Sequence, residues 1–490
     1  METMGNPQTD VQEARPLTKG KSVWLSARKT LYFGLSLLVF AFLFFGLEGY
    51  MEYKPRVTLA ITLGVIVLWV LEPIPFSMTA VLVLFLLPIS GAVSTEQVLS
   101  GFASPAIFLI VAGMMIASAV EQTALGKRLA YQLLYWFGER KGGVLAGILL
   151  IPQVMALFIP AAAVRTAMVL PIVFSIASIL GLKAGDTRAK QLMMAVVVGC
   201  GISGTAILPA AIGNVITVDL IHTYLHKHIT YVDWLVLAFP MWLILIPASW
   251  WVLYRCFPVQ EEAPIGLKQQ MKAMIAELGP ITSREKRLLA ILLTVCFMWA
   301  LEGIHGLPPV IPALIGAVLM AWPGIKVAEW ERILDIKFSP LIMLGVTLSL
   351  GYALYDTGVI AYLSKWVEND FILYLFSTPS LAVLAVAILT QLIHKVTSNV
   401  STAVIATVPV VIALSSHAEQ APVLLLGVVT GMTCLFGFLL VVETIPGVMV
   451  HGTGWITQQD FFKPGFWLTI VTTAVTYLMS FTWWSWLGYL

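Results

Sequence analysis

Apolar runs of about 18 residues, the length that crosses a bilayer as a helix, recur along almost the whole chain. They lie near 31–47, 57–72, 76–91, 104–120, 190–221 and 232–256, then near 286–303, 309–323, 340–356, 421–450 and 466–487. Short polar gaps separate them. The pattern predicts an all-α polytopic membrane protein with about eleven transmembrane helices. Two further regions, 144–178 and 379–414, are apolar but split at their centres by "FIPAAAV" and "HKVTSNVSTAV". Both are read as re-entrant hairpins, because non-helical backbone survives at membrane depth only where it is buried in protein or lines a cavity.

The runs form two copies of one unit. "WVLEPIP" at Trp69 returns as "WALEGIH" at Trp299, "FASPAIFLIVAGMMIASAVEQTALGKRL" (102–129) as "FSPLIMLGVTLSLGYALYDTGVIAYL" (338–363), and "ITYVDWLVLAF" (229–239) as "ITQQDFFKPGF" (456–466). Three pairs keep one order at a spacing of about 230 residues, the mark of an internal repeat. Five crossings per repeat is an odd number, so the second copy is inverted. The expected organisation is a cytosolic tail (1–30), a first transmembrane helix (31–48), repeat 1 with an inner hairpin (55–257), a cytosolic linker (258–285) and repeat 2 with an outer hairpin (286–490).

Charge supports that orientation. With the N-terminus inside, the inner loops carry Lys127, Arg128, Arg140, Lys141, Lys183, Arg188, Lys190, Lys268, Lys272, Arg284, Lys286 and Arg287. The outer loops hold Lys54, Arg56, Lys227 and Lys365. This is the positive-inside bias, and it places the C-terminus outside. Only 11% of the 490 residues are charged and 59% are hydrophobic, too little charge for a soluble surface. The run at 31–47 has no small-residue cleavage site after it and is read as a membrane helix rather than a signal peptide. Four cysteines, Cys200, Cys256, Cys296 and Cys434, show neither disulfide nor zinc spacing. No nucleophile–base set, phosphate loop or basic nucleic-acid face appears, so neither an enzyme nor a nucleic-acid partner is expected.

Inverted repeats with interrupted helices point to a secondary transporter whose site lies where the interruptions meet. In the second hairpin tip, Ser398, Asn399, Ser401 and Thr402 are placed to cap the returning helix, with Thr397 and Val400 beside them as candidate binding residues, and free N–H groups there favour an anion. Lys395 needs a cavity or a negative partner at that depth. The first tip has Ala161, Ala162 and Ala163 where the second has polar residues, and Arg165 follows. A guanidinium there suits a carboxylate by bidentate pairing, or else an ion pair with Glu121, Glu443 or Asp219. Two more helices are interrupted, at 199–214 and 441–454, where Asn214, Pro446 and Gly447 would line the site. Glu443 is an intramembrane acid and a coupling candidate, or a partner for Arg165 or Lys395. The G-x-G-x-x-G from Gly199 to Gly204 lies in an apolar run without a βαβ unit, so it carries no dinucleotide. His222, His226 and His228 have spacing a metal can use, but their position after a helix suits an interfacial loop.

These residues resemble the divalent anion:sodium symporter family, whose mark is a Ser-Asn-Thr triplet at each hairpin tip with a proline about ten residues on. "TSNVSTAVIATVP" (397–409) carries it as Ser398-Asn399-Val400 with Pro409, and "AAAVRTAMVLPI" (161–172) keeps the spacing and Pro171 without the triplet. Arg165 and "PGVMVHGTGWITQQDFFKPG" (446–465) are similar to the branch that exchanges citrate, oxoglutarate and malate. The resemblance runs from about residue 57 onward. It implies an elevator-type carrier, a homodimer with a scaffold domain at its interface, and di- or tricarboxylate or sulfate substrates. It also implies sodium beside the triplets, here near Ser398 and Asn399, though the lost first triplet does not favour sodium. The expectation is a bacterial inner-membrane carrier of C4-dicarboxylates, 2-oxoglutarate or citrate working by sodium-independent exchange, without an organic cofactor. The alternatives are a sodium-coupled dicarboxylate symporter and a sulfate or other inorganic anion carrier. A passive channel is a further class, and paired hairpins argue against its continuous pore.

Overall fold

A computed structural model describes residues 19–259, 266–365, 370–397, 399–416, 418 and 421–489. Part of the cytosolic tail, part of the linker and Ser398 therefore lie outside the described residues. Among those described, the chain is helical throughout and contains no strand. Among the described residues six helices are long and apolar enough to cross a membrane, or seven if Thr95–Ala103 and Pro105–Glu121, bent by 42°, form one span. Six other apolar helices are shorter. Phe76–Ile89, for example, reaches only about 21 Å at 1.5 Å per residue. Several of the expected crossings are thus assembled from pieces rather than made by single rods.

Two of the three repeated sequence pairs build matching local structures. Trp69 donates its indole N–H to the carbonyl of Phe76 at 3.4 Å, and Trp299 donates to Pro309 at 2.8 Å. Each closes the turn between the first two helices of its half. The "ITYVD" and "ITQQD" segments are both capping boxes. In one, Thr230 Oγ1 accepts from the Asp233 N–H while the Asp233 carboxylate accepts from the Thr230 N–H. In the other, the Asp460 carboxylate accepts from the Thr457 N–H at 2.9 Å. In both, the aspartate satisfies an orphan donor at a helix start. They open the two long closing helices, Tyr231–Cys256 and Gln458–Phe481, which pack on each other.

The hairpins are Gly143–Ala156 with Ala162–Ile179, and Pro379–Val396 with Val400–Ser415. The broken helices are Thr187–Ile202 with Ile212–Leu225, and Val423–Thr433 with Ile445–His451. A one-turn 3₁₀ segment interrupts each, at Leu208–Ala210 and Val441–Glu443. Packing is crosswise. The second piece of the first broken helix, Ile212–Leu225, lies on the second hairpin, and that of the second, Ile445–His451, lies on the first hairpin. The two halves therefore interlock at their interruptions. Gly213 shows how closely: a Cβ there would stand 2.6 Å from Val400 Cγ1. At Gly201 it would stand 2.7 Å from the Phe438 ring.

Candidate functional site

In the first tip, Ala161 is the N-cap of the returning helix and offers no side-chain cap. The N–H groups of that helix start are left without a capping side chain. Arg165 follows one turn on and is fully buried. Its guanidinium donates to the carbonyl of Ile159 in its own tip and, at 3.0 Å, to the carbonyl of Ala210 in the first break. Nε has no partner.

None of the three acids weighed as partners for Arg165 pairs with it. Glu121 is exposed. Asp219 accepts from Ser104 Oγ at 2.6 Å and Tyr352 Oη at 2.5 Å. Glu443 is engaged by Lys395. Among the described residues Arg165 forms no ion pair. Two carbonyl dipoles are a weak match for a whole buried charge.

The first break is held by side chains around it. Asn214, fully buried at the start of Ile212–Leu225, donates Nδ2 to the carbonyls of Gly204 at 2.7 Å and Ile207 at 3.3 Å. Trp234 donates its indole N–H to Thr205 at 3.0 Å. These bonds satisfy backbone that the interruption frees, as buried polar groups require.

The second tip differs. Asn399 caps Val400–Ser415 by accepting from the Thr402 N–H at 2.9 Å, and its Nδ2 is left without a partner. Thr397 Oγ1 donates to the carbonyl of His394 at 3.4 Å. Aligned on their N-caps, Asn399 and Ala161, the tips place Pro409 and Pro171 at the same offset. The counterpart of Ser398-Asn399-Val400 is therefore Pro160-Ala161-Ala162, one residue earlier than the alanine run suggested.

At the second break Lys395 Nζ lies 3.0 Å from Glu443 Oε2, with Glu443 fully buried. The carboxylate also accepts from the N–H groups of Leu439 at 3.2 Å and Leu440 at 3.0 Å. Gln458 completes the frame by accepting from Val441 and donating to Leu439. Thr444 caps the next helix by accepting from Gly447, and Pro446 sits in its first turn, where its missing N–H costs nothing. The positive charge expected from Lys395 is thus already matched.

The structure joins Arg165, Ala161, Ala162 and Asn214 around the first break. Val400 and Asn399 approach it through Gly213. Lys395, Glu443, Pro446 and Gly447 form the second break, and Ala163 continues the first helix behind its cap. Sequence reading missed His394, which is fully buried with Nε2 3.2 Å from the Glu443 carbonyl. It also missed Gln458. A histidine beside Lys395 in an apolar run was the available signal. Of the histidine trio, His228 meets Glu302 at 3.2 Å, and no cluster of metal-binding side chains occurs among the described residues.

Residues 29–490 match the family described as the sodium:sulfate symporter transmembrane region. A membrane protein of Cupriavidus necator is 28% identical over 453 residues, covering 88% of this chain and 87% of its own length. The sodium-dependent dicarboxylate transporter SdcS of Staphylococcus saprophyticus is 26% identical, covering 92% and 89%. SdcS of Staphylococcus aureus is 24% identical, covering 92% and 90%.

Proposed function

The chain belongs to the sodium:sulfate symporter family, the divalent anion:sodium symporters, and on that premise we propose that it exchanges C4-dicarboxylates, 2-oxoglutarate or citrate across the membrane without sodium. That it is an integral membrane anion transporter follows from the family. One observation carries the finer reading: a fully buried arginine between a hairpin tip and a helix break, with no carboxylate partner among the described residues. A substrate carboxylate would complete it. Arg165 would match one charge of a dianion, and the uncapped helix start at Ala162 would favour the second.

Lys395 and Glu443 cancel, so the empty site keeps the single charge of Arg165. A bound sodium ion can leave an empty carrier; a guanidinium can neither leave nor deprotonate at ordinary pH. Carrying it unpaired through an occluded state costs several kcal/mol, and ~4 kcal/mol slows return about a thousandfold. Return then requires a second anion, which is obligatory exchange. The test is uptake of labelled succinate, malate or 2-oxoglutarate into proteoliposomes with and without internal dicarboxylate. We expect uptake only into loaded vesicles. Strong uptake into empty vesicles that follows a sodium gradient would establish the second reading, sodium symport, which the names of the Staphylococcus relatives favour.

In this reading the chain works as an elevator within a homodimer, with the N-terminus cytosolic and the C-terminus outside a bacterial cell membrane. The first hairpin opens from the cytosol and the second from the exterior. Cysteines introduced at Thr187 and Ser416 should then react from opposite faces. Labelling of both from one face removes the inverted-repeat arrangement.

A further inference from the structure

Among the described residues, three side-chain atoms around the first break are buried without a partner: Arg165 Nε, Asn399 Nδ2 and Asn214 Oδ1. They belong to three elements that meet there. Arg165 donates to Ala210, in the 3₁₀ turn that leads into the helix holding Asn214. Gly213, beside Asn214, touches Val400, beside Asn399. Two of the three atoms are donors, and the carboxylate oxygens of a substrate satisfy donors. The third is an acceptor, which no ionised carboxylate can satisfy.

The orientation of the Asn214 amide is set by its surroundings. Its Nδ2 donates to two backbone carbonyls, so turning the amide over would press Oδ1 against both of them. Oδ1 therefore stays an acceptor, and a buried acceptor left unmet keeps the full cost of its desolvation. A substrate that brings its own neutral donor recovers that cost. An ammonium group is the poorer donor here, because the fixed charge in the same junction is the Arg165 guanidinium and like charges repel. A hydroxyl carries no such penalty.

We propose that Asn214 is a specificity-determining residue that accepts a hydrogen bond from a substrate hydroxyl, so that the carrier prefers 2-hydroxydicarboxylates over their deoxy analogues. The inference rests on the dicarboxylate reading above. It gives that reading a direction, since a site that binds a hydroxyl discriminates against the analogue lacking it far better than an apolar pocket can discriminate by size.

The test is inhibition of labelled succinate exchange in proteoliposomes by three compounds: L-malate, succinate and 2-methoxysuccinate. The ether keeps the oxygen and the bulk but has no proton to donate. In the unsubstituted protein L-malate should inhibit about tenfold more strongly than the other two, equivalent to ~1.4 kcal/mol. Asn214→Ala should bring all three together. Equal inhibition by L-malate and succinate overturns the proposal, and so does a methoxy compound that matches L-malate. Both results come from the unsubstituted chain, so they hold even if Asn214→Ala fails to fold. A preference that survives in folded Asn214→Ala overturns it too. If neither succinate nor malate is exchanged at all, the dicarboxylate reading falls instead.

Discussion

The two hairpin tips share a backbone plan and differ in chemistry. Each returns through a helix with its proline at the same offset from the N-cap, and each lies against the opposite half's broken helix. The second tip carries an asparagine cap, and the lysine before it is neutralised by a buried glutamate. The first tip has an alanine cap, and among the described residues its arginine is held only by carbonyls. The repeat therefore sets where the tips and breaks meet, and the side chains decide which half carries the net charge. Symmetry of fold has been kept while symmetry of charge has been lost.

The largest expected effect comes from removing the unmatched charge. Arg165→Ala should lower succinate exchange per folded protein about a hundredfold or more, since a charged hydrogen bond contributes ~1.5–3 kcal/mol and a guanidinium can make two. Arg165→Lys keeps the charge without the fork and should fall between. Initial-rate exchange in proteoliposomes measures this, with elution from a sizing column as the check on folding. Wild-type affinity in Arg165→Ala would mean that the two tips are not functionally different in the way their charges suggest.

A middling effect is expected from the matched pair, and it should fall on stability rather than on affinity. Lys395→Met strands a buried carboxylate, and Glu443→Gln strands a lysine. Because Lys395 keeps 18% of its side-chain exposure, each single change should cost about 2 kcal/mol rather than the full penalty of a deeply buried pair. The double variant should recover about 1–2 kcal/mol of the summed loss, measured by thermal unfolding in detergent. If Lys395→Met melts normally yet loses substrate affinity, Lys395 binds the anion directly, as its place in the sequence first suggested.

The legible part of this protein was whatever repeats or interrupts. The Trp69 and Trp299 motifs and the two Ile-Thr-x-x-Asp boxes stand out in the sequence because each performs the same local task twice. The breaks stand out because polar residues are costly in apolar runs. The Lys395–Glu443 pair was open only as one choice among several, since 48 residues separate its members and no local pattern links them. His394 went unread because its partner is a backbone carbonyl, which every residue offers. The register of the first tip slipped by one because three alanines in a row look alike, and only the backbone shows which one is the cap.

The smallest effect sharpens the same contrast at its caps. Asn399→Ala should lower stability by about 1 kcal/mol, the usual loss for an N-cap. It should also weaken substrate affinity several-fold if the unpartnered Asn399 amide meets the anion. The converse variant, Ala161→Asn, places a capping side chain where the backbone is already extended, at φ −100° and ψ 120°. It should gain about 0.5–1 kcal/mol in thermal unfolding. It also supplies a side-chain oxygen where the resemblance to the symporter family implies one. Exchange should nevertheless remain independent of sodium, because the Arg165 guanidinium still occupies the junction and repels a second cation. Sodium-stimulated uptake in Ala161→Asn would show that the missing cap, rather than the arginine, sets the coupling. Sodium-stimulated uptake confined to Ala161→Asn combined with Arg165→Ala would assign that role to the charge.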